Sequence, residues 1–65
     1  MRLKTALDLL LYELEYSGTL SRKSVRISPS LKNAVIDYAN KHGLISIDRT
    51  FISITKAGLE YIKNQ

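Results

Sequence analysis

Between His42 and Gly58 the chain reads His42-Gly43-Leu44-Ile45-Ser46-Ile47-Asp48-Arg49-Thr50-Phe51-Ile52-Ser53-Ile54-Thr55-Lys56-Ala57-Gly58, and no other stretch constrains the fold as tightly. Gly43 is placed to stop a helix, because glycine readily takes the left-handed conformation that closes helices. Leu44 to Ile47 and Phe51 to Ile54 then alternate, which puts Ile45 with Ile47 on one face and Ile52 with Ile54 on one face, Ser46 and Ser53 lying between them. The turn at Asp48-Arg49-Thr50 holds Asp but no Gly, so the hairpin is inferred from its flanks and not from a turn dipeptide. Thr55 stands where a helix cap is needed, ahead of a last helix through Lys63 that buries Leu59 and Ile62 with help from Tyr61. A helix, a short hairpin and another helix are therefore expected in that order.

A chain of 65 residues makes one domain, residues 1–65, with a single small core near the size at which folding needs outside support. The absence of cysteine excludes a disulfide framework and a cysteine zinc site, and suits a reducing cytoplasm. His42 is the sole histidine, so a multi-histidine metal site is excluded and no cofactor is expected. The run Leu9-Leu10-Leu11 is too short, and too close to Lys4, Asp8 and Glu13, to cross a bilayer. No small-residue cleavage site follows it, so the expectation is a soluble, unprocessed, cytoplasmic protein.

Residues 2–16 carry Leu3, Leu7, Leu10, Leu11 and Leu14 at spacings of three and four with no Gly or Pro, the pattern of an amphipathic helix. Leu9, Tyr12 and Tyr16 widen the apolar surface beyond one stripe, so this helix is expected to touch a second element or another subunit. Two heptads fall short of a coiled coil. Ser17-Gly18 ends the helix.

Two readings of Thr19 to Ile27 are open, because Leu20, Val25 and Ile27 follow neither period. In the favoured one, Thr19-Leu20 is a short strand, Ser21 caps a brief second helix and Ile27 packs in the following turn; in the other, Ser24 to Ser28 is extended. Ser28-Pro29 is clearer: Ser accepts from an early helical N–H, and Pro at the first helical position gives up a donor the helix does not use. The helix that starts there runs to about His42, with Lys41 and His42 complementing its negative end. Leu31, Ala34, Val35, Tyr38 and Ala39 are expected on its inner side, and Ser30, Asn33, Asp37, Asn40 and Lys41 on its outer side.

Ten Lys and Arg against six Asp and Glu give a net charge of +4, a mild pointer to a polyanion. Distribution says more than the total. Between Ser17 and Ile36 the chain carries Arg22, Lys23, Arg26 and Lys32 with no acidic residue, while Asp8, Glu13 and Glu15 gather in the first helix. Catalysis has little to build on: there is no Ser-His-Asp or Cys-His set, no Gly-rich phosphate loop and no carboxylate pair in a setting that shifts its ionisation. The chain is not expected to be an enzyme or to take a small-molecule substrate. Tyr12, Tyr16, Tyr38 and Tyr61 read as core-edge residues and not as stacking platforms for single strands.

The helix ending in Gly43-Leu44-Ile45, the hairpin, and the start Ile54-Thr55-Lys56-Ala57-Gly58-Leu59-Glu60-Tyr61-Ile62 together resemble the small winged helix-turn-helix regulators common in archaea and their viruses and plasmids. Before Ser28 the chain departs from that pattern, since the family usually has a longer and more apolar second helix there. The resemblance implies an α+β, mostly helical fold with three helices, a two-stranded wing and a C-terminal helix. It further implies that Pro29 to His42 is the recognition helix, whose N-terminal half enters the major groove. Ser30, Lys32 and Asn33 would then approach DNA, Asn33 pairing bidentately with adenine and Lys32 reaching guanine or phosphate. Asp37, one turn beyond Asn33, opposes deep insertion unless it meets a cytosine amino group or an Arg. Arg22, Lys23 and Arg26 would clamp the backbone, and Arg49 at the wing tip would sit in or beside the minor groove.

The function expected is double-stranded DNA binding in transcription or replication control, with a homodimer through the first and last helices doubling the footprint. The alternative is a winged-helix protein-interaction module without DNA binding, for which Asp37 and the apolar residues of the first helix speak.

Overall fold

In the computed structural model, which describes residues 2–64, the chain forms three α-helices and a three-stranded antiparallel sheet. The order is α1 (Leu3–Ser17), β1 (Thr19–Ser21), a single 3-10 turn (Arg22–Ser24), α2 (Pro29–Lys41), β2 (Ile45–Asp48), β3 (Phe51–Ile54) and α3 (Lys56–Lys63). The sheet order is β1-β3-β2, with β3 in the centre.

α1 supplies the largest share of the core of any one element. Ala6, Leu7, Leu10, Leu11 and Leu14 are buried along one side of it, and the helix packs on α2, α3 and β3. Val25, Val35, Ile36, Ala39, Leu44, Ile45, Ile52 and Ile62 complete the core, and Leu20, Ile27, Leu31, Ile54 and Tyr61 pack against it half-buried. Gly18 closes α1 at φ 82°, its N–H donating to the Leu14 carbonyl at 2.7 Å, and Gly43 follows α2 at φ 71°, both conformations that cost a side-chain-bearing residue about 1–2 kcal/mol.

Between α1 and α2 the favoured sequence reading holds in outline, with β1 extending one residue beyond the expected strand and the brief second helix reduced to one 3-10 turn. Ser21 precedes that turn without capping a backbone N–H; its hydroxyl meets the Ser24 hydroxyl at 2.9 Å instead. β1 also makes the hairpin the larger part of a three-stranded sheet, pairing Thr19 with Ser53, Leu20 with Ile52 and Ser21 with Phe51.

α2 begins at Pro29 as the sequence requires, but the Ser28 side chain makes no cap bond, and Ser28 contributes its carbonyl to the Lys32 N–H at 2.8 Å. The helix is also turned from the expected orientation: Ile36 is fully buried, whereas Ala34 and Tyr38 face solvent. α2 lies against both α1 and β2, and burying the larger Ile36 in preference to Ala34 gains roughly 0.8 kcal/mol for each extra methylene group removed from water.

Ile45 pairs with Ile54 and Ile47 with Ile52, so all four share one face of the sheet as the alternation predicts; Ile45 and Ile52 are buried there and Ile54 half-buried, while Ile47, toward the hairpin tip, is exposed. α3 is short, and Gly58 and Ile62 point inward while Leu59, expected in the core, is 39% exposed. Gly58 sets that rotation. A Cβ there would collide with the Leu44 carbonyl oxygen and come within 2.7 Å of Ile54 Cγ1, so only glycine lets α3 lie this close to the α2–β2 turn.

Candidate nucleic-acid interface

Arg22 is the residue on which the candidate site converges. Because Ser21 pairs with Phe51, the next N–H along β1 reaches the hairpin tip, and Arg22 N–H donates to the Thr50 carbonyl at 2.8 Å. From α2, Lys32 Nζ donates to the Arg22 carbonyl at 3.4 Å. The Arg22 guanidinium in turn donates through Nη2 to Asn33 Oδ1 at 2.7 Å. The 3-10 turn, the first two turns of α2 and the hairpin tip are thereby joined at one side chain and its backbone.

Ser21, Arg22, Lys23, Lys32 and Thr50 line a surface concavity of about 380 Å³. Three of those five residues are cationic and none is acidic. Arg22 and Lys32 are half-buried, so part of each long side chain is held against protein, while Lys23 is exposed. Like charges in one concavity repel each other, and their field is focused outward; an anion that enters relieves the repulsion. The oxygens of a phosphate suit both a guanidinium, with its fork of donors, and an ammonium.

The other expected residues stand around this centre. Arg49 is exposed at the hairpin tip beside Thr50. It has φ 59°, the one non-glycine positive φ among the described residues. Asp48 pairs with Phe51, so Arg49 and Thr50 form a two-residue loop, and a positive φ at the first loop residue alone is the pattern of a II′ turn, where glycine is the usual occupant. Ser30 and Asn33 are exposed on the outer side of α2, together with Asp37. Arg26 is exposed in the stretch between the 3-10 turn and α2 and does not line the concavity.

Two residues of this surface are not among the site residues expected from the sequence. Thr50 lines the concavity and holds the Arg22 backbone. Phe51 is 52% exposed beside the tip, a large apolar side chain on the outer face of β3. Its signal was present, because a face that takes Ile52 and Ile54 inward must send Phe51 and Ser53 outward.

A clasp holds the hairpin in place against the helices on either side of it. Thr55 Oγ1 donates to the Gly43 carbonyl at 2.6 Å and accepts from the Gly58 N–H at 3.1 Å, which caps α3 as expected. The Thr55 N–H donates to the Leu44 carbonyl at 3.1 Å, and Leu44 N–H to the Ala39 carbonyl at 2.8 Å. Both ends of the hairpin are thus fixed to the end of α2, which carries the hairpin tip to a defined position beside Arg22.

Comparison of the chain with protein families, with curated proteins and with solved structures gives no match.

Proposed function

We propose that this is a winged-helix protein that binds double-stranded DNA, with α2 as the recognition helix and β2–β3 as the wing. The observation that carries the reading is the acid-free concavity in which Arg22, Lys23 and Lys32 meet the hairpin tip at the start of α2. In this reading Arg22, Lys23 and Lys32 grip backbone phosphates, Ser30 and Asn33 approach base edges in the major groove, and Arg49, with Phe51 beside it, lies along the backbone or the minor groove. Arg26 adds charge at the edge of the footprint. Control of transcription or replication inside the cytoplasm is the role such binding serves, and it needs no cofactor and no catalysis.

Size bears on the stoichiometry. The longest extent of the fold is 27 Å, below the roughly 34 Å that separates successive major-groove faces of a duplex, so one chain reads one groove segment. A homodimer would supply the second. Leu9, Tyr12 and Tyr16 lie exposed at helical spacing on α1, Tyr16 at 92%, and Leu59 is exposed on α3, which supports pairing through these two helices.

The experiment is a titration of labelled duplex across a series of salt concentrations. If four cations, Arg22, Lys23, Lys32 and Arg49, each neutralise a phosphate, log K falls against log salt with a slope of about −3.6. Absence of salt-dependent binding at low ionic strength would overturn the reading. The exposed apolar stripe of α1 is also what a protein-interaction module would present, and capture of a protein by that stripe with no duplex retained would favour that alternative.

A further inference from the structure

We infer that Arg22 is a positioning residue that makes Asn33 a reader of adenine, an inference that rests on the duplex-binding proposal. An exposed asparagine amide ordinarily rotates, presenting its oxygen and its nitrogen to the same place in turn. Adenine recognition needs one arrangement: Oδ1 accepts from the N6 amino group while Nδ2 donates to N7. Here Arg22 Nη2 donates to Asn33 Oδ1 at 2.7 Å, which an amide nitrogen in that place would not accept, so the bond selects one of the two orientations.

The selected orientation keeps Asn33 competent. A carbonyl oxygen has two lone pairs, and a guanidinium on one leaves the other, together with both amide hydrogens, for a base. Arg22 is itself pinned, its N–H on the Thr50 carbonyl at 2.8 Å and its carbonyl under Lys32 Nζ at 3.4 Å. The amide is therefore held by a side chain whose own root is fixed at the hairpin tip. The ordering that binding would otherwise have to impose on Asn33 is already in place. Arg22 carries two roles in this account, charge toward phosphate and orientation of Asn33, whereas Lys23, next to it in the same concavity, carries charge alone.

That difference gives the test. Duplexes bound by the wild type are selected from a randomised pool, and relative affinities are then measured for each base pair at the position whose preference Asn33→Ala abolishes. The wild type is expected to prefer adenine there about tenfold, within the roughly 5- to 150-fold range of a good bidentate contact. Arg22→Ala and Lys23→Ala each remove one cation and should lower the salt slope alike, by about 0.9. Only Arg22→Ala should also reduce the adenine preference, to about threefold or less, and in an Asn33→Ala background it should change the preference no further. Truncation leaves both backbone bonds of Arg22 intact, and an unchanged thermal midpoint verifies that the variant is folded.

Full adenine preference retained in Arg22→Ala overturns the inference. So does a preference at the Asn33-dependent position for a base other than adenine, or a selection in which no position depends on Asn33. In those cases salt-dependent binding by the wild type leaves the duplex reading standing, while no binding to any duplex removes both.

Discussion

In the proposed reading, Arg49 sets stability against DNA binding within one residue. Its φ of 59° places a β-carbon-bearing residue in the left-handed region, at a loop position that glycine fills without strain. In the proposed reading, contact with DNA is the reason that strained backbone is retained at this exposed charged residue. Arg49→Gly is expected to raise folding stability by roughly 0.5–1 kcal/mol, the relief of strain being partly offset by the greater freedom of glycine in the unfolded chain. The same substitution is expected to weaken duplex binding and lower the salt slope by about 0.9. Urea denaturation and the salt titration, run on one preparation, read both signs; a fall in stability or an unchanged slope contradicts the account.

At the scale of elements, the clasp between the end of α2 and the start of α3 decides whether the hairpin is held. Gly58→Ala drives a methyl group into the Leu44 carbonyl, an atom fixed by the Thr55 N–H at 3.1 Å and unable to step aside as a flexible side chain does. The expected cost is about 2–3 kcal/mol, a large part of the stability available to a domain of 65 residues, and the thermal midpoint should fall by roughly 10 °C or more. A Gly58→Ala protein that melts with the wild type would show that α3 does not pack as described.

Much of this architecture was legible in the residues. The leucine spacing of α1, the Ser17-Gly18 and Pro29 boundaries, the alternating isoleucines and the Thr55 cap each follow from a local rule, and each lies where that rule puts it. The faces of α2 and α3 were less legible, because rotation about a helix axis is set by competition between neighbours. Ile36 displaced Ala34 from the core, and the approach of Gly58 to Leu44 turned Leu59 outward. For the candidate site, the acid-free run singles out Arg22, Lys23 and Lys32, which line the concavity, along with Arg26, which does not. What the sequence did not show was their junction with Thr50 and Asn33, since bonds between residues 11 and 28 positions apart depend on how the sheet closes.

At the scale of the whole molecule, two surface regions stand apart. One region, from the 3-10 turn through the outer face of α2 to the hairpin tip, carries Arg22, Lys23, Lys32 and Arg49 with Asp37 and Phe51 at its margins, and is proposed to meet the duplex. The other is the apolar stripe of Leu9, Tyr12 and Tyr16 on α1, proposed to meet a second copy. The two can be separated in one measurement, the backbone amide spectrum of isotopically labelled protein as duplex DNA is added at low salt and, separately, as the protein is concentrated. DNA should move the signals of Arg22, Lys23, Lys32, Asn33, Arg49 and Phe51, and concentration should move those of Leu9, Tyr12 and Tyr16. Duplex that shifts the α1 stripe and leaves Arg22, Lys32 and Asn33 in place would contradict the assignment of the interface.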